Sequence, residues 1–453
     1  MNMIIYYTKS SFKQQLCIMK LVLLVLMIMM PTMANADAIE GIYMTNPDSY
    51  YRLNGRNHYF ENSYEIMIIS NDDGSYYVDD LFGGWYCQHL GYGADYAMSG
   101  NIEILDDGIV SLKDCYVYSW DTGFSSLKGK YDKASSSFTI NEEYDNITFL
   151  LTWIKVGEVF KKDGFIYKKE DDNSVSVIKK EDDNKGNIVI PSEVLFNGIT
   201  YSVTSIDRAF YNCQDIESIT IPNSVLSVGD FCFSHCKNLK SVTISNGLNS
   251  IGDSSFFDCN NLTSIFIPNS VTSIGRSAFY NCTSLTTVNI PQNVSVIEDD
   301  SFYGCMNLTS LTISNGVNKI EYEAFTGCTS LTTLFIPQSL TYINNAFYDC
   351  IGLTSIIVDS ENEVFDSRDN CNAIIETNTN TLILGCKNTK IPNSVSDIGA
   401  LAFCGCSGLT SLNIPNSVKT IGNDSFYGCI NLTSVFIPQS VISIDGYAFD
   451  KCI

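Results

Sequence analysis

Ten of the 17 cysteines in this chain of 453 residues recur at one place in a repeating phrase, and regularly spaced thiols invite three chemistries. They could bridge as disulfides, ligate a metal, or act as nucleophiles. The ten are Cys213, Cys236, Cys259, Cys282, Cys305, Cys328, Cys350, Cys406, Cys429 and Cys452. Nucleophilic and zinc chemistry both need partners, and the chain has only three histidines, His58, His89 and His235, with no H-E-x-x-H motif. Cys404-Gly405-Cys406 and the pair Cys232 and Cys236 lack the paired spacing of a zinc site. There is no G-x-S-x-G and no phosphate-binding glycine loop. The nearest carboxylate pair, Glu142 with Glu143, sits on adjacent strand positions that face opposite ways and cannot share a substrate. The sequence therefore predicts no enzyme, no metal and no cofactor.

Disulfides are the natural thought for an exported protein. Equivalent residues of stacked repeats project in parallel, however, which is poor geometry for a bridge. A free cysteine also packs well as a small buried hydrophobe. A ladder of buried thiols is the favoured reading. The cysteines outside the ladder are the better disulfide candidates, Cys87 with Cys115 and Cys371 with Cys386.

What positions the thiols is a period of 23 residues. Consecutive copies read LTSIFIPNSVTSIGRSAFYNC, LTTVNIPQNVSVIEDDSFYGC and LTSLTISNGVNKIEYEAFTGC from Leu262, Leu285 and Leu308. A fixed period of this length marks a solenoid, whose coils bury their apolar face only against neighbours. In the copy from Leu262, the residues Leu262, Ile265 and Ile267 match the L-x-x-L-x-L core and point inward from a short strand. Pro268 ends that strand. Val271 and Ile274 begin the return face, Gly275 allows a turn, and Ala278, Phe279 and Cys282 pack beneath. The repeats occupy 191–453, with a variant module at 351–390. The last copy closes at Cys452 without the polar cap that a solenoid end normally carries.

Upstream, residues 37–157 are aromatic-rich and unrepeated. Asp73-Gly74 and Asp107-Gly108 are tight-turn dipeptides flanked by apolar runs, so each marks a hairpin. Thr148 to Lys155 reads as a closing strand. An antiparallel β-sandwich or small barrel is expected, and a lipocalin-like carrier of a small ligand is the alternative function for this segment. Residues 158–190 read as a charged connector with short strands. The fold class is thus mainly β.

Lys9, Lys13 and Lys20, the apolar stretch Leu21 to Met30 and Ala34-Asn35-Ala36 compose a secretory signal over residues 1–36, with Met19 an alternative start. No other segment is apolar enough to span a membrane. A net charge of −23 disfavours nucleic acid and anionic lipid as partners.

The runs Ile267-Pro268-Asn269-Ser270-Val271-Thr272-Ser273-Ile274-Gly275 and Ala278-Phe279-Tyr280-Asn281-Cys282 resemble the BspA-type leucine-rich repeat surface proteins. The variant module, with Asp369-Asn370-Cys371-Asn372-Ala373-Ile374-Ile375 and Thr381-Leu382-Ile383-Leu384-Gly385-Cys386, resembles theirs too. The resemblance implies a secreted or cell-surface bacterial adhesin that binds host matrix protein, glycan or another cell. On the strand face, the residue between the last two inward positions is exposed. The unusual occupants there are Phe266, Asn289, Phe335, Ile357, Asn413 and Phe436, which are the candidate ligand contacts.

Overall fold

The computed structural model describes residues 158–180 and 185–452 in full and, between residues 41 and 157, the backbone of the strands. Packing divides the chain into two units, Met1–Glu170 and Asp171–Ile453.

In the first unit eight strands pair antiparallel in turn: Gly41–Thr45, Glu65–Ser70, Tyr76–Asp80, Met98–Ile104, Ile109–Val117, Leu127–Asp132, Ser137–Tyr144 and Ile147–Gly157. The last of these pairs with the first, so the pairings run in a ring. Tyr50–Leu53 and Arg56–Tyr59 extend it as a hairpin beside Ile147–Gly157. Cys87 lies outside the described residues.

The second unit is the solenoid. Most coils contribute a strand of two to six residues to a first parallel ladder, whose pairings fall into three successive sheets, and a two-residue strand to a second. The first ladder runs through Ile216–Ile221, Ser241–Ile244, Ser264–Ile265, Thr287–Ile290 and Ser310–Ile313, with rungs in strict 23-residue register. The second runs through Ser227–Val228, Ser250–Ile251 and Ser273–Ile274. This second ladder is absent from the sequence reading, because two residues are too few to show a strand period. The segments expected as a connector carry the first rungs: Ser174–Lys180 pairs in parallel with Ile199–Ile206, and Gly186–Val189 with Ile216–Ile221.

Between the ladders the chain turns through two residues with positive φ, four apart: Ser277 and Asn281, Asp300 and Gly304, Glu323 and Gly327. Asn, Asp and Gly suit the second of these positions because they tolerate the left-handed region. Gly275 has a different reason from the turn expected of it. Its φ is ordinary, and a Cβ there would fall 2.3 Å from Asp253 Oδ1 and 2.5 Å from Asp253 N, so the neighbouring coil leaves no room for a side chain.

The core is columnar. Leu262, Ile267, Val271, Ala278, Phe279 and Cys282 are fully buried, with their equivalents above and below. The phenylalanines form a continuous stack from Phe210 through Phe233, Phe256, Phe279, Phe302 and Phe325 to Phe347, with centroids 5.1–5.3 Å apart. Parallel rings at this spacing follow from the coil rise, which equals the strand separation.

The variant module replaces the second ladder with a meander. Phe365–Asp366, Ala373–Glu376 and Thr381–Gly385 pair antiparallel, and the last then resumes parallel pairing with Asp397–Ile398. The buried Asn362 amide ties the module to the preceding coil by donating to Pro337 O and Leu340 O, at 2.8 and 2.9 Å. Asp366 grips Arg368, whose guanidinium also donates to Asn380 Oδ1 at 2.8 Å.

Candidate binding surface

Two columns carry the chemistry foreseen in the sequence, the closing thiols inside and the strand-face residues outside. The thiols are free and, apart from the half-buried Cys213 and Cys452, buried. Eight of the ten donate to the main-chain carbonyl of a phenylalanine one coil back, among them Cys236 to Phe210 at 3.0 Å, Cys282 to Phe256 at 3.2 Å, Cys305 to Phe279 at 3.3 Å and Cys429 to Phe403 at 3.2 Å, whereas Cys213 turns to Tyr211 O in its own turn at 3.7 Å. The sulfur thus fills a small apolar space and satisfies a buried acceptor. Burial pushes the Cys305 and Cys350 thiols up to about 12, far from nucleophilic range.

Cys371 and Cys386 are free as well, which corrects the disulfide expected between them. Their sulfurs turn to separate carbonyls, Ala373 O at 3.7 Å and Asn372 O at 3.4 Å, because the hairpin that carries them spends both thiols locally.

On the outer face of the first ladder, Phe266 is 65% exposed, Phe335 44%, Ile357 46% and Phe436 71%. Register brings some together. Phe335 stands directly beside Ile357 on paired strands, and Phe436 beside Asn413. Phe266 stands apart, since its strand ends at Ile265. Asn289 is the exception among the six candidates. Its amide is turned into the sheet, donating to Ile267 O at 3.0 Å and accepting from Ile267 N at 3.4 Å, where backbone pairing lapses. It seals the ladder and is not offered to a ligand. The threonines just before three of these strands are also spent: Thr263, Thr286 and Thr309 donate to the carbonyls of Lys240, Thr263 and Thr286 at 3.0–3.2 Å. The apolar side chains are what this face holds out.

A second aromatic row, at the position after each core phenylalanine, escaped the sequence reading. Phe257, Tyr280 and Tyr303 stack face to face with centroids 4.7 and 4.6 Å apart, all half-buried. The signal was present in the phrase A-F-Y-N-C, but an aromatic beside a core aromatic reads as core packing until the turn geometry separates them.

The model of the BspA type leucine rich repeat region matches in six copies over residues 203–302, 251–374 and 373–453. The chain belongs to this family. A second family model, described as that of a C-terminal domain, matches residues 33–155. Among solved structures, a leucine rich cell surface protein from Faecalibacterium prausnitzii is similar at 30% identity and a TM-score of 0.56, over 66% of this chain and 87% of its own. The pneumococcal vaccine antigen PcpA is similar at 24% identity and a TM-score of 0.46, over 63% and 72%. A leucine-rich repeat protein from Bacteroides ovatus is similar at 25% identity and a TM-score of 0.33, over 65% and 92%. No curated protein matches the chain. Family membership accounts for the coil phrase, and the exposed apolar column is where this chain departs from its own small polar consensus.

Proposed function

We propose that the protein is a bacterial secreted or surface-held binding protein whose solenoid recognises an extracellular protein or glycan through the outer face of the first ladder. Residues 1–36 act as its export signal, and residues 37–157 form a separate unit that presents the solenoid. The observation that carries this reading is the set of solvent-exposed Phe266, Phe335, Ile357 and Phe436 along one face of stacked parallel strands whose other outward residues are mostly Ser and Thr. Large apolar side chains in water are costly to leave uncovered and are typical anchors of recognition surfaces. A neighbouring relative, from F. prausnitzii, is described as a cell surface protein, which supports the location. The alternative of a small-ligand carrier turns on side chains in residues 37–157 that lie outside the described ones, and it gains no support.

The test is a screen of the full chain against immobilised matrix proteins and glycans, followed by titration of the hit with Phe266→Ala, Phe335→Ala and Phe436→Ala. Loss of one central anchor is expected to weaken binding about tenfold to a hundredfold. If the triple variant binds as tightly as the parent, the strand face is not the recognition surface.

A further inference from the structure

Between Tyr211 and Tyr348 the second aromatic row has two interruptions, and the chain fills only one of them. In the coil closed by Cys236 the row position is Ser234, a small buried residue. Its neighbour His235 swings into the gap between Tyr211 and Phe257, with centroids 5.8 and 5.4 Å away and edge-to-face angles of 87° and 67°. Asp258, in the next coil, then pairs with His235 Nδ1 through Oδ2 at 3.2 Å. The gap thus takes a flat nitrogen heterocycle, held by rings on both sides and by one carboxylate.

The same arrangement recurs between Tyr303 and Tyr348 with the centre missing. The row position there is Thr326, again small and buried, but the residue equivalent to His235 is Gly327. Gly327 is partly exposed, and a Cβ placed on it would meet nothing nearer than 3.6 Å. Tyr303 and Tyr348 lie two coils apart, roughly 10 Å by the strand spacing, which is the span His235 bridges in the first gap. The residue equivalent to Asp258 is Asp349. Burial raises its carboxyl above the ordinary range, and no Lys, Arg or His pairs with it among the described residues. Its Oδ1 lies against Gly405 in the following coil. The hydroxyl of Thr326, the row residue of this coil, is buried and has no hydrogen-bond partner.

We propose that the gap over Gly327 is a binding slot for the guanidinium of an arginine presented by a polypeptide partner, packed between Tyr303 and Tyr348 and paired with Asp349. A guanidinium matches the site better than an ammonium because it is planar, weakly hydrated and stacks on aromatic rings while donating to a carboxylate. Asp300 and Glu323 add negative charge near the same row, both close enough to act on the Tyr280 hydroxyl. The slot sits at the turn column, apart from the strand face, so the two readings stand or fall separately.

The full chain should be examined by saturation-transfer NMR with N-acetyl-arginine amide as ligand, and the lysine and glutamine analogues as comparators. Arginine amide is expected to show transfer centred on its δ protons, with the lysine analogue weaker and the glutamine analogue silent. Gly327→His copies the filled gap; His235 already adopts this positive φ, so the variant should fold, melt no lower than the parent and lose arginine transfer. Asp349→Asn keeps the shape and removes the charge, and should weaken binding about tenfold. Phe266→Ala should leave the transfer unchanged. Equal transfer to arginine and lysine amides, or arginine binding to Gly327→His as strong as to the parent, would overturn the proposal. Loss of the signal in Phe266→Ala would assign the contact to the strand face instead.

Discussion

Eight of the ten closing thiols donate into the coil before them, most of them from a dry column, and this makes stability depend on pH in a direction that can be worked out. Cys305, Cys350 and Cys406 have folded-state values pushed up to about 12 by burial, while an unfolded cysteine titrates near ~8.5. Between those values the unfolded chain has given up protons that the folded chain retains, so unfolding is favoured as pH rises. Stability is fully present below about pH 8.5 and is expected to decline steadily from there toward pH 12. Denaturant melts across that window check it. Cys305→Ala should cost about 1–3 kcal/mol at pH 7, from the unpaired Phe279 carbonyl and the lost volume, and should flatten the alkaline slope. An unchanged slope would mean that the thiols do not govern it.

The coil, as an element, is tuned by close approach more than by turn propensity. Gly275 and Gly186 make the contrast. A Cβ on Gly275 would collide with the backbone of Asp253, whereas Gly186 has positive φ and open space around it. Gly275→Ala is therefore expected to destabilise by about 2–4 kcal/mol through forced separation of coils, and Gly186→Ala by about 1 kcal/mol through backbone strain alone. Equal losses in equilibrium unfolding would refute the distinction. The repeated phrase made the inward residues legible, since Ile265 and Ile267 follow the alternation of a strand and Leu262 recurs before them at the 23-residue period. The two-residue second ladder was not legible, because its ladder bonds are made entirely with other coils. The role of Asn289 was hidden for the same reason: an amide two positions from a proline looks like surface until the lapse in pairing at Ile267 is seen.

At the scale of the molecule, a solenoid's stability is nearly a sum over coils and their nearest-neighbour contacts. Removing residues 285–307, one full period, joins Ser284 to Leu308 and preserves every column. That variant should fold and unfold cooperatively with a modest loss of thermal stability. Removing residues 285–304 instead breaks the register of thiols, phenylalanines and both ladders, and it should fail to give a cooperative melt. Far-ultraviolet circular dichroism on heating distinguishes the two, and equal behaviour would show that register does not bind the stack together.

The sequence by itself determined the period, the inward residues and the exposed apolar positions, because the coil is a local object and 23 residues carry all its instructions. It also narrowed the thiols to a ladder, since parallel projection follows from repetition alone. Only the tertiary structure decided what the columns do between coils. It gave most of the closing thiols a carbonyl partner one coil back, turned Cys371 and Cys386 to separate carbonyls, turned Asn289 inward and opened the gap over Gly327. The thiol-ladder and Asn289 contacts join atoms 22 to 26 residues apart in sequence that the coil rise brings together, and no single copy of the phrase contains them.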